Sequence, residues 1–407
     1  MNSEQLAIDG GVPVRSRPFP SWPVFSESEE RALVTTLHSG AWGIGGSRIP
    51  EFEQAWASFQ GAKHAVAVAS GTAALELGLW AAGVELGDEV ILPAYTFVAT
   101  ATAVLARGAV PVFADVDPNT LLIDARSAES SVTERTRGIV AVHVAGCPAD
   151  LDALRAVARR HRLALVEDAA QAHGAAWRGR RVGAIGNVGS FSFQATKNLN
   201  CGEGGAVVTD DAGLAEAVWS LHNVGRRRQG GEPILGGNAR MTEFQAALLL
   251  AQLERLPEQM ERRHRNAEYL RKHLSEIPGI FTASADSRVT EHAWHLFMFR
   301  YEADAFGGLP RVDFIRALQA EGIPCTPGYA PLHRSIPLQE EVARVLHSLG
   351  RARTPTEAHA PAHLPVAEEA GRDTVWLYQY MLLGEEADMD DVAEAVSKIR
   401  RARVGGP

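Results

Sequence analysis

Lysine is rare in this chain, which narrows the search for a reactive amine. The sequence has 407 residues and 40 lysines and arginines, of which only Lys63, Lys197, Lys272 and Lys398 are lysines. A neutral lysine amine can attack a carbonyl group and form a covalent adduct. Lys272 and Lys398 lie in charged, helical segments, and Lys63 precedes a predicted strand, so we interpret these three as surface charges. Lys197, in a loop after a predicted strand, is the best candidate for amine chemistry.

A second candidate site is Ser70-Gly71-Thr72, which follows an apolar run and opens a helical pattern. Backbone N–H groups at the start of a helix, together with a hydroxyl group, can bind a phosphate. Helix capping alone would also explain a serine and a threonine here. The residues themselves leave both interpretations open.

Asp168 is the third candidate, at the end of the apolar segment LALVED. A carboxylate there could bind a metal, cap a helix or pair with a buried cation. No second group of carboxylates has a fixed spacing that supports a metal, so we expect no metal site. Glu167 points to the opposite face of the predicted strand, and we expect it to be structural.

Short apolar strands alternate with helices in the part of the chain that carries these candidates. We predict strands at 64–69, 89–92, 110–114, 138–144 and 163–166, with helices after Gly71 and over 151–160. This order predicts βαβ units and a mostly parallel sheet that helices cover on both faces. Ligands gather at the carboxyl ends of such strands, where all three candidates lie.

The remainder of the chain has a different pattern. We predict one long helix over 242–275, broken or bent at Pro257, then a strand at 294–301 and helices at 312–321 and near 390–400. The first 60 residues contain a Pro-rich start and the glycine-rich stretch 43–46. We therefore expect a large domain over 1–255 with an N-terminal segment, and a smaller α/β domain over 256–407.

Bulk properties exclude several function classes. The formal net charge of −9 argues against nucleic-acid binding, which depends on cationic side chains. No window approaches the 20 or so apolar residues that a membrane helix needs. Cys147, Cys201 and Cys325 are too far apart to predict a metal cluster or a disulfide framework. We expect a cytoplasmic protein with small-molecule partners.

Taken together, the motifs resemble the DegT/DnrJ/EryC1/StrS family of sugar and cyclitol aminotransferases, which depend on pyridoxal 5'-phosphate and have fold type I. The resemblance runs from about residue 6 to the C-terminal helix. It rests on these segments: SGT at 70–72, PAYTF at 93–97, EDAAQAHG at 167–174, SFQATKNL at 192–199, GEGG at 202–205 and GNARMTEFQA at 237–246.

The resemblance implies roles for individual residues. Lys197 would bind the cofactor aldehyde and then move a proton, and Asp168 would pair with the pyridinium nitrogen. Gln171 would hydrogen-bond the phenolic oxygen, and Phe97 would stack on the ring. The phosphate would be held by Gly71, Thr72, Ala73 and Ser192, and by Asn238 from the second subunit of a homodimer. Members that dehydrate sugars have a histidine in place of the lysine, so Lys197 favours transamination.

Segments 6–13, 376–378 and 382–384 are most similar to the inosose aminotransferase and aminohydroxybenzoate-synthase branch. This implies L-glutamine or L-glutamate as amino donor and a keto-cyclitol as acceptor, in antibiotic biosynthesis. A nucleotide-linked keto-sugar acceptor is the first alternative. The others are a dehydrating and aromatising enzyme of the aminohydroxybenzoate type, and a regulator that binds the cofactor without turnover.

Residues that contact the substrate are harder to identify. Candidates are Trp42, Arg226, Tyr329 and His333, of which Arg226 begins a run of three arginines that could bind a carboxylate or a diphosphate. A solvated loop explains the arginines equally well. His292 and His295 also lie in the C-terminal part where substrate contacts could occur, although histidines and tyrosines are as often structural.

Overall fold

The structure is a computed structural model that describes residues 5–228, 230–283, 286–351 and 363–404. Its strands are β1 His64–Val68, β2 Glu89–Pro93, β3 Val110–Ala114, β4 Thr136–Val142, β5 Ala164–Asp168, β6 Ala176–Trp177, β7 Arg180–Arg181, β8 Val188–Ser192, β9 Gly205–Thr209, β10 Ile280–Thr282, β11 Val289–Glu291, β12 Leu296–Tyr301, β13 Cys325–Pro327 and β14 Thr374–Tyr378. Its α-helices are α1 Glu27–Ser39, α2 Arg48–Gln60, α3 Gly71–Ala81, α4 Ala99–Ala106, α5 Ala125–Ser130, α6 Leu151–His161, α7 Ala212–His222, α8 Glu243–Leu253, α9 Leu256–Ser275, α10 Arg311–Ala320, α11 Ile336–Ser348, α12 Pro365–Asp373 and α13 Glu386–Val404. No helix among these residues is both long and apolar enough to cross a membrane.

A seven-stranded sheet in the order β1-β9-β8-β5-β4-β2-β3 forms the centre of the fold. All neighbouring pairs from β8 to β3 are parallel, and β9 runs antiparallel to both β8 and β1. The mostly parallel sheet is therefore confirmed. Its strands are buried almost throughout, because helices lie on both faces, and this explains their continuous apolar sequences.

Side-chain caps begin the helices that follow several of these strands. Ser70 caps α3, Asp150 caps α6 and Asp211 caps α7, each by accepting a hydrogen bond from a backbone N–H in the first turn. The cap on α3 starts that helix two residues after β1 ends. The amino end of α3 is thereby placed at the carboxyl edge of the sheet.

A four-stranded antiparallel sheet, β10-β12-β14-β13, lies in the C-terminal part. Its core packs against α9, α10 and α13. The two cores do not divide strictly at residues 255 and 256. Leu6 packs in the second core, whereas Leu332, Leu338 and Trp376 pack in the first.

The helical segment predicted over 242–275 is broken into two helices near Pro257, which is one of the two predicted alternatives. α8 ends at Leu253 and α9 begins at Leu256, so Pro257 lies in the first turn of α9. Proline is well tolerated there, because it lacks a backbone N–H group and the N–H groups of the first helical turn have no intrahelical acceptor.

Lys398 is buried, which corrects the expectation of a surface charge. Its side chain is 3% exposed, and Nζ lies 2.9 Å from Glu321 Oε2 and donates to the Val12 carbonyl over 2.7 Å. The N–H groups of Ala7 and Val14 donate to the same Glu321 carboxylate. This buried ion pair therefore links the N-terminal segment to the C-terminal end of α10 and to α13.

Candidate active site

A cavity of about 720 Å³ opens at the carboxyl edge of the central sheet. Asp168 at the end of β5, Ser192 at the end of β8, Lys197 in the following loop and the first residues of α3 line it. Trp22, whose Nε1 donates to the Ala195 carbonyl over 3.0 Å, also lines it, and so do Trp376, Tyr378, Gln379 and Tyr380. The three sequence motifs singled out for chemistry thus meet in one cavity.

Gly71 and Ser192 lie in close contact in the cavity wall, and we call this pair the Gly71–Ser192 cradle. A Cβ atom at Gly71 would lie 2.5 Å from Ser192 Cβ, so only glycine allows this approach. Thr72 is exposed to the cavity, with its hydroxyl next to the amino end of α3. Ala73 is less available, because its N–H already donates to Ser70 Oγ over 3.1 Å. Hydroxyls and free N–H groups at a helix start are suited to a phosphate.

Asp168 is a buried carboxylate with few partners. Thr100 Oγ1 donates to Oδ2 over 2.8 Å, and the Ala170 N–H donates to Oδ1 over 3.3 Å. Burial raises the pKa of Asp168, while Thr100 and the charge of Lys197 act in the opposite direction. A cationic N–H group facing Asp168 would offset this burial and keep the carboxylate ionised.

Lys197 lies in a loop that is closed at both ends. The N–H of Phe193 donates to the Gly204 carbonyl over 2.8 Å, and that of Ala195 donates to Gly202 over 2.9 Å. Gly202 has a φ of 86°, a left-handed conformation that favours glycine. Burial lowers the pKa of Lys197 to about 8, although Asp168 opposes this shift. The amine is therefore partly neutral, and nucleophilic, near neutral pH.

Gln171 is fixed on both sides of its amide. Its Oε1 accepts from the Ala145 N–H over 2.7 Å, and its Nε2 donates to the Tyr329 hydroxyl over 2.8 Å. The Tyr329 ring lies 4.4 Å from the Trp376 ring and 6.0 Å from the Phe97 ring. Phe97 is 52% exposed and lines the cavity, so its ring face is free to stack.

Glu167 behaves as the strand alternation predicts. It is fully buried on the other face, where its carboxylate accepts hydrogen bonds from the N–H groups of Gly183, Ile185 and Gly186. Burial alone would raise the pKa of Glu167, but hydrogen bonds from His143 and these backbone groups lower it below its ordinary value. Glu167 thus anchors the loop before β8.

Five predicted residues, Ala73 among them, do not line the cavity that the described residues form. Trp42, Arg226 and Asn238 are exposed elsewhere on the chain, with Asn238 bridging to Asn223. His333 is 4% exposed and its Nε2 lies 3.1 Å from Glu368 Oε1. Of the substrate contacts considered from the sequence, Tyr329 and His295 line the cavity.

Several cavity residues were not identified from the sequence. They are Trp22, Thr96, Glu203, Tyr378, Gln379 and Tyr380, with Thr100 behind Asp168. His295 lines the cavity, whereas His292 stacks on Trp294 at 3.8 Å. For Tyr378, Gln379 and Tyr380, the only signal in the sequence was the aromatic residues within and just after the segment that forms β14.

Pyridoxal phosphate, which the resemblance implies, carries a phosphate, an aldehyde and a ring nitrogen. The Gly71–Ser192 cradle suits the phosphate, the partly neutral Lys197 suits the aldehyde, and the buried Asp168 suits a protonated nitrogen. The residues present therefore fit this cofactor. Among the described residues, no group of three His, Cys, Asp or Glu side chains could hold a metal ion.

Comparisons with known proteins agree with this geometry. The model of the DegT/DnrJ/EryC1/StrS aminotransferase family matches residues 24–397. The L-glutamine:2-deoxy-scyllo-inosose aminotransferase of Streptoalloteichus tenebrarius is 42% identical over 415 residues, which cover 97% of each chain.

Solved structures give the same result. The crystal structure of 3-amino-5-hydroxybenzoic acid synthase has a TM-score of 0.84 and 34% identity, covering 95% of this chain and 99% of that one. DesI in the presence of its TDP-sugar product has a TM-score of 0.83 and 35% identity, covering 98% and 97%. The match extends over nearly the whole chain, and the chain therefore belongs to the DegT/DnrJ/EryC1/StrS aminotransferase family.

Proposed function

We propose that this aminotransferase binds pyridoxal 5'-phosphate and transfers the amino group of L-glutamine to an inosose-type keto-cyclitol, in antibiotic biosynthesis. The observation that carries the proposal is the meeting of Lys197, Asp168 and the Gly71–Ser192 cradle in one cavity. An amine, a carboxylate and an anion cradle are the three groups that the cofactor needs.

The cofactor, when bound, supplies a carbonyl group that carries the amino group between substrates and a ring that withdraws electrons. The chain supplies the remaining functions. Asp168, which accepts a hydrogen bond from Thr100, would stabilise a positive charge on the ring nitrogen. Of the four lysines, Lys197 alone lines the cavity of the described residues, so it is the group that takes and returns a proton during transfer.

The acceptor is proposed from the cavity wall and the relatives together. Rings of Phe97, Tyr329, Trp376 and Tyr378 line the cavity and present flat apolar faces to the C–H side of a six-membered ring. The full-length relative at 42% identity is named for L-glutamine and 2-deoxy-scyllo-inosose. The structural likeness to DesI with a TDP-sugar product favours a nucleotide-linked keto-sugar as the second candidate acceptor.

We propose a homodimer because several residues predicted to bind the cofactor or the substrate lie away from the cavity of their own chain. The first helix and the loop after it expose apolar side chains, among them Val34, Leu37, Trp42 and Ile44, each at least 50% exposed. Apolar side chains grouped in this way are typical of a subunit interface. Asn238 and Trp42 would then reach the cavity of the second subunit, and Arg226 would lie at the same boundary.

A half-reaction experiment tests the function. Purified protein with pyridoxal phosphate is expected to be yellow, to lose that absorbance with L-glutamine, and to regain it with 2-deoxy-scyllo-inosose but not with a TDP-linked keto-sugar. Lys197→Ala is expected to show none of these changes. Product mass separates amino transfer from dehydration and aromatisation. Failure of every amino acid to discharge the absorbance would indicate a regulator and would overturn the proposal.

A further inference from the structure

An arginine buried beside the cavity fixes the orientation of a glutamine in its wall. Arg263, on α9, is fully buried, and its Nε and Nη2 donate to Gln379 Oε1 over 2.9 and 2.7 Å. A guanidinium group can only donate hydrogen bonds, so the amide atom that faces it must be the oxygen. The NH₂ group of Gln379 is therefore turned away from Arg263.

This NH₂ group has no partner among the described residues. Gln379 directly follows β14, lines the cavity and is 2% exposed, and its Nε2 is buried without a hydrogen bond. Nη1 of Arg263 is unpaired in the same way. A buried donor left unpaired is destabilising. An acceptor atom of a bound molecule would remove this penalty at Gln379.

The charge around Arg263 and Gln379 indicates which kind of acceptor Gln379 Nε2 would bind. Burial lowers the pKa of Arg263 to about 9, so the guanidinium remains protonated at neutral pH. Within the described residues no carboxylate pairs with it, and besides Gln379 the Trp22 ring lies 5.3 Å from its Cζ atom. Its two hydrogen bonds polarise the Gln379 amide and strengthen Nε2 as a donor. The uncompensated positive charge favours an anionic acceptor.

We infer that Gln379 Nε2 binds the carboxylate of the amino donor, with Arg263 as the positioning residue that orients the amide and supplies the positive field. This inference rests on the proposed amino transfer from an amino acid. A neutral keto-cyclitol has no anionic group to use the field, so the pair acts in the first half-reaction and selects an amino acid over a simple amine.

Two variants of the cofactor-loaded enzyme test this assignment. Gln379→Glu keeps the contact with Arg263 but replaces the donor by a carboxylate, and Arg263→Met removes the charge. L-glutamine is compared with 4-aminobutanamide, which lacks only the α-carboxylate. Both variants are expected to reduce the preference for L-glutamine, as the ratio of kcat/KM values, by about tenfold or more, because a hydrogen bond to a charged group has this strength. KM for the ketone should change less than twofold.

Arg265→Met is the matched control, since Arg265 is on the same helix and pairs with Glu261 at the surface. It should leave the preference unchanged. If a variant loses turnover, calorimetry measures its binding of 4-carbamoylbutanoate, which has the carboxylate and no amine. Gln379→Glu and Arg263→Met should each bind this compound about tenfold more weakly than the wild-type enzyme does.

Each other outcome overturns the inference. An unchanged preference with unchanged binding would exclude the carboxylate contact, and a rise in KM for the ketone alone would place Gln379 at the acceptor. If the wild-type enzyme shows no absorbance from Lys197-bound cofactor and no amino transfer, the proposed function fails first, and the two failures are thus distinguishable.

Discussion

Thr100 Oγ1 donates a 2.8 Å hydrogen bond to Asp168 Oδ2, and both side chains are buried. The threonine lies in the first turn of α4 and the aspartate at the end of β5, so the contact links a helix to the strand edge where the cavity opens. A hydroxyl can stabilise an ionised carboxylate without adding charge to the site. Burial raises the pKa of Asp168, and the hydrogen bond from Thr100 opposes this and helps Asp168 to keep its negative charge.

Thr100→Val is expected to move the acidic limb of the kcat profile upward by about one pH unit. Burial already raises the pKa of Asp168, and loss of a hydrogen bond to the charged form raises it further, so the carboxylate is protonated at a higher pH. The measurement is kcat against pH for the amino-transfer reaction. Thr102→Val is the control, because Thr102 is exposed on the same helix. Identical acidic limbs for wild type and Thr100→Val would contradict this role.

Covalent capture of pyridoxal phosphate by the cofactor-free protein should accelerate as pH rises and level off above about 8. A lysine is nucleophilic only when neutral, and burial lowers the pKa of Lys197 to about 8. Stopped-flow absorbance between pH 6.5 and 9.5 measures the rate. Lys63→Ala, which removes an exposed lysine, should leave the curve unchanged. A rate that rises steadily to pH 10 would show an ordinary, solvated amine instead.

Gly71→Ala is expected to weaken cofactor binding by about tenfold or more. The added Cβ would lie 2.5 Å from Ser192 Cβ, so the amino end of α3 and the end of β8 must separate, and the phosphate cradle widens. Equilibrium titration with pyridoxal phosphate gives the dissociation constant. Gly213→Ala, in the first turn of α7, is the control for a similar change at a helix start away from the cavity. Equal affinities for Gly71→Ala and wild type would exclude the cradle.

Glu321→Gln is expected to lower the free energy of unfolding by about 3 kcal/mol. The change leaves the charge of Lys398 buried without a counter-ion, which is strongly destabilising. Asp313→Asn breaks the exposed Arg316–Asp313 pair on the same helix and should change stability by less than about 1 kcal/mol. Thermal or urea unfolding checks both. Similar losses of unfolding free energy in the two variants would mean that the buried pair contributes no more to stability than the exposed pair does.

Five of the seven strands of the central sheet, β1 to β5, were predicted, because each is largely buried and reads as a short apolar run. Asp168 was identified as a candidate because it ends such a run, and Lys197 because it is the lysine outside a charged or surface segment. By contrast, α1 and α2 were not predicted, although Ser26 and Glu29 form a capping box and Gly40 and Gly61 end the two helices. These were local signals that could have been read.

Other features depend on contacts between distant parts of the chain. Lys398 is buried because Glu321 meets it from another helix, and nothing in its own segment indicates this. Gln379 lines the cavity with its amide fixed by Arg263, which precedes it by 116 positions. Such pairs become visible only when the fold brings their elements together.

The reversed direction of β9 bears on how the protein acquires its site during folding. The local pairing of β8 with β9 closes the loop that carries Lys197, whereas the long-range pairing of β9 with β1 brings Gly205 against the Ser70 carbonyl oxygen, from which a Cβ atom on Gly205 would lie 2.3 Å. Long-range pairings of this kind form slowly. Reactivity of Lys197 toward the cofactor should thus appear with the last strand pairing, and its colour would report the time at which a refolding chain becomes native.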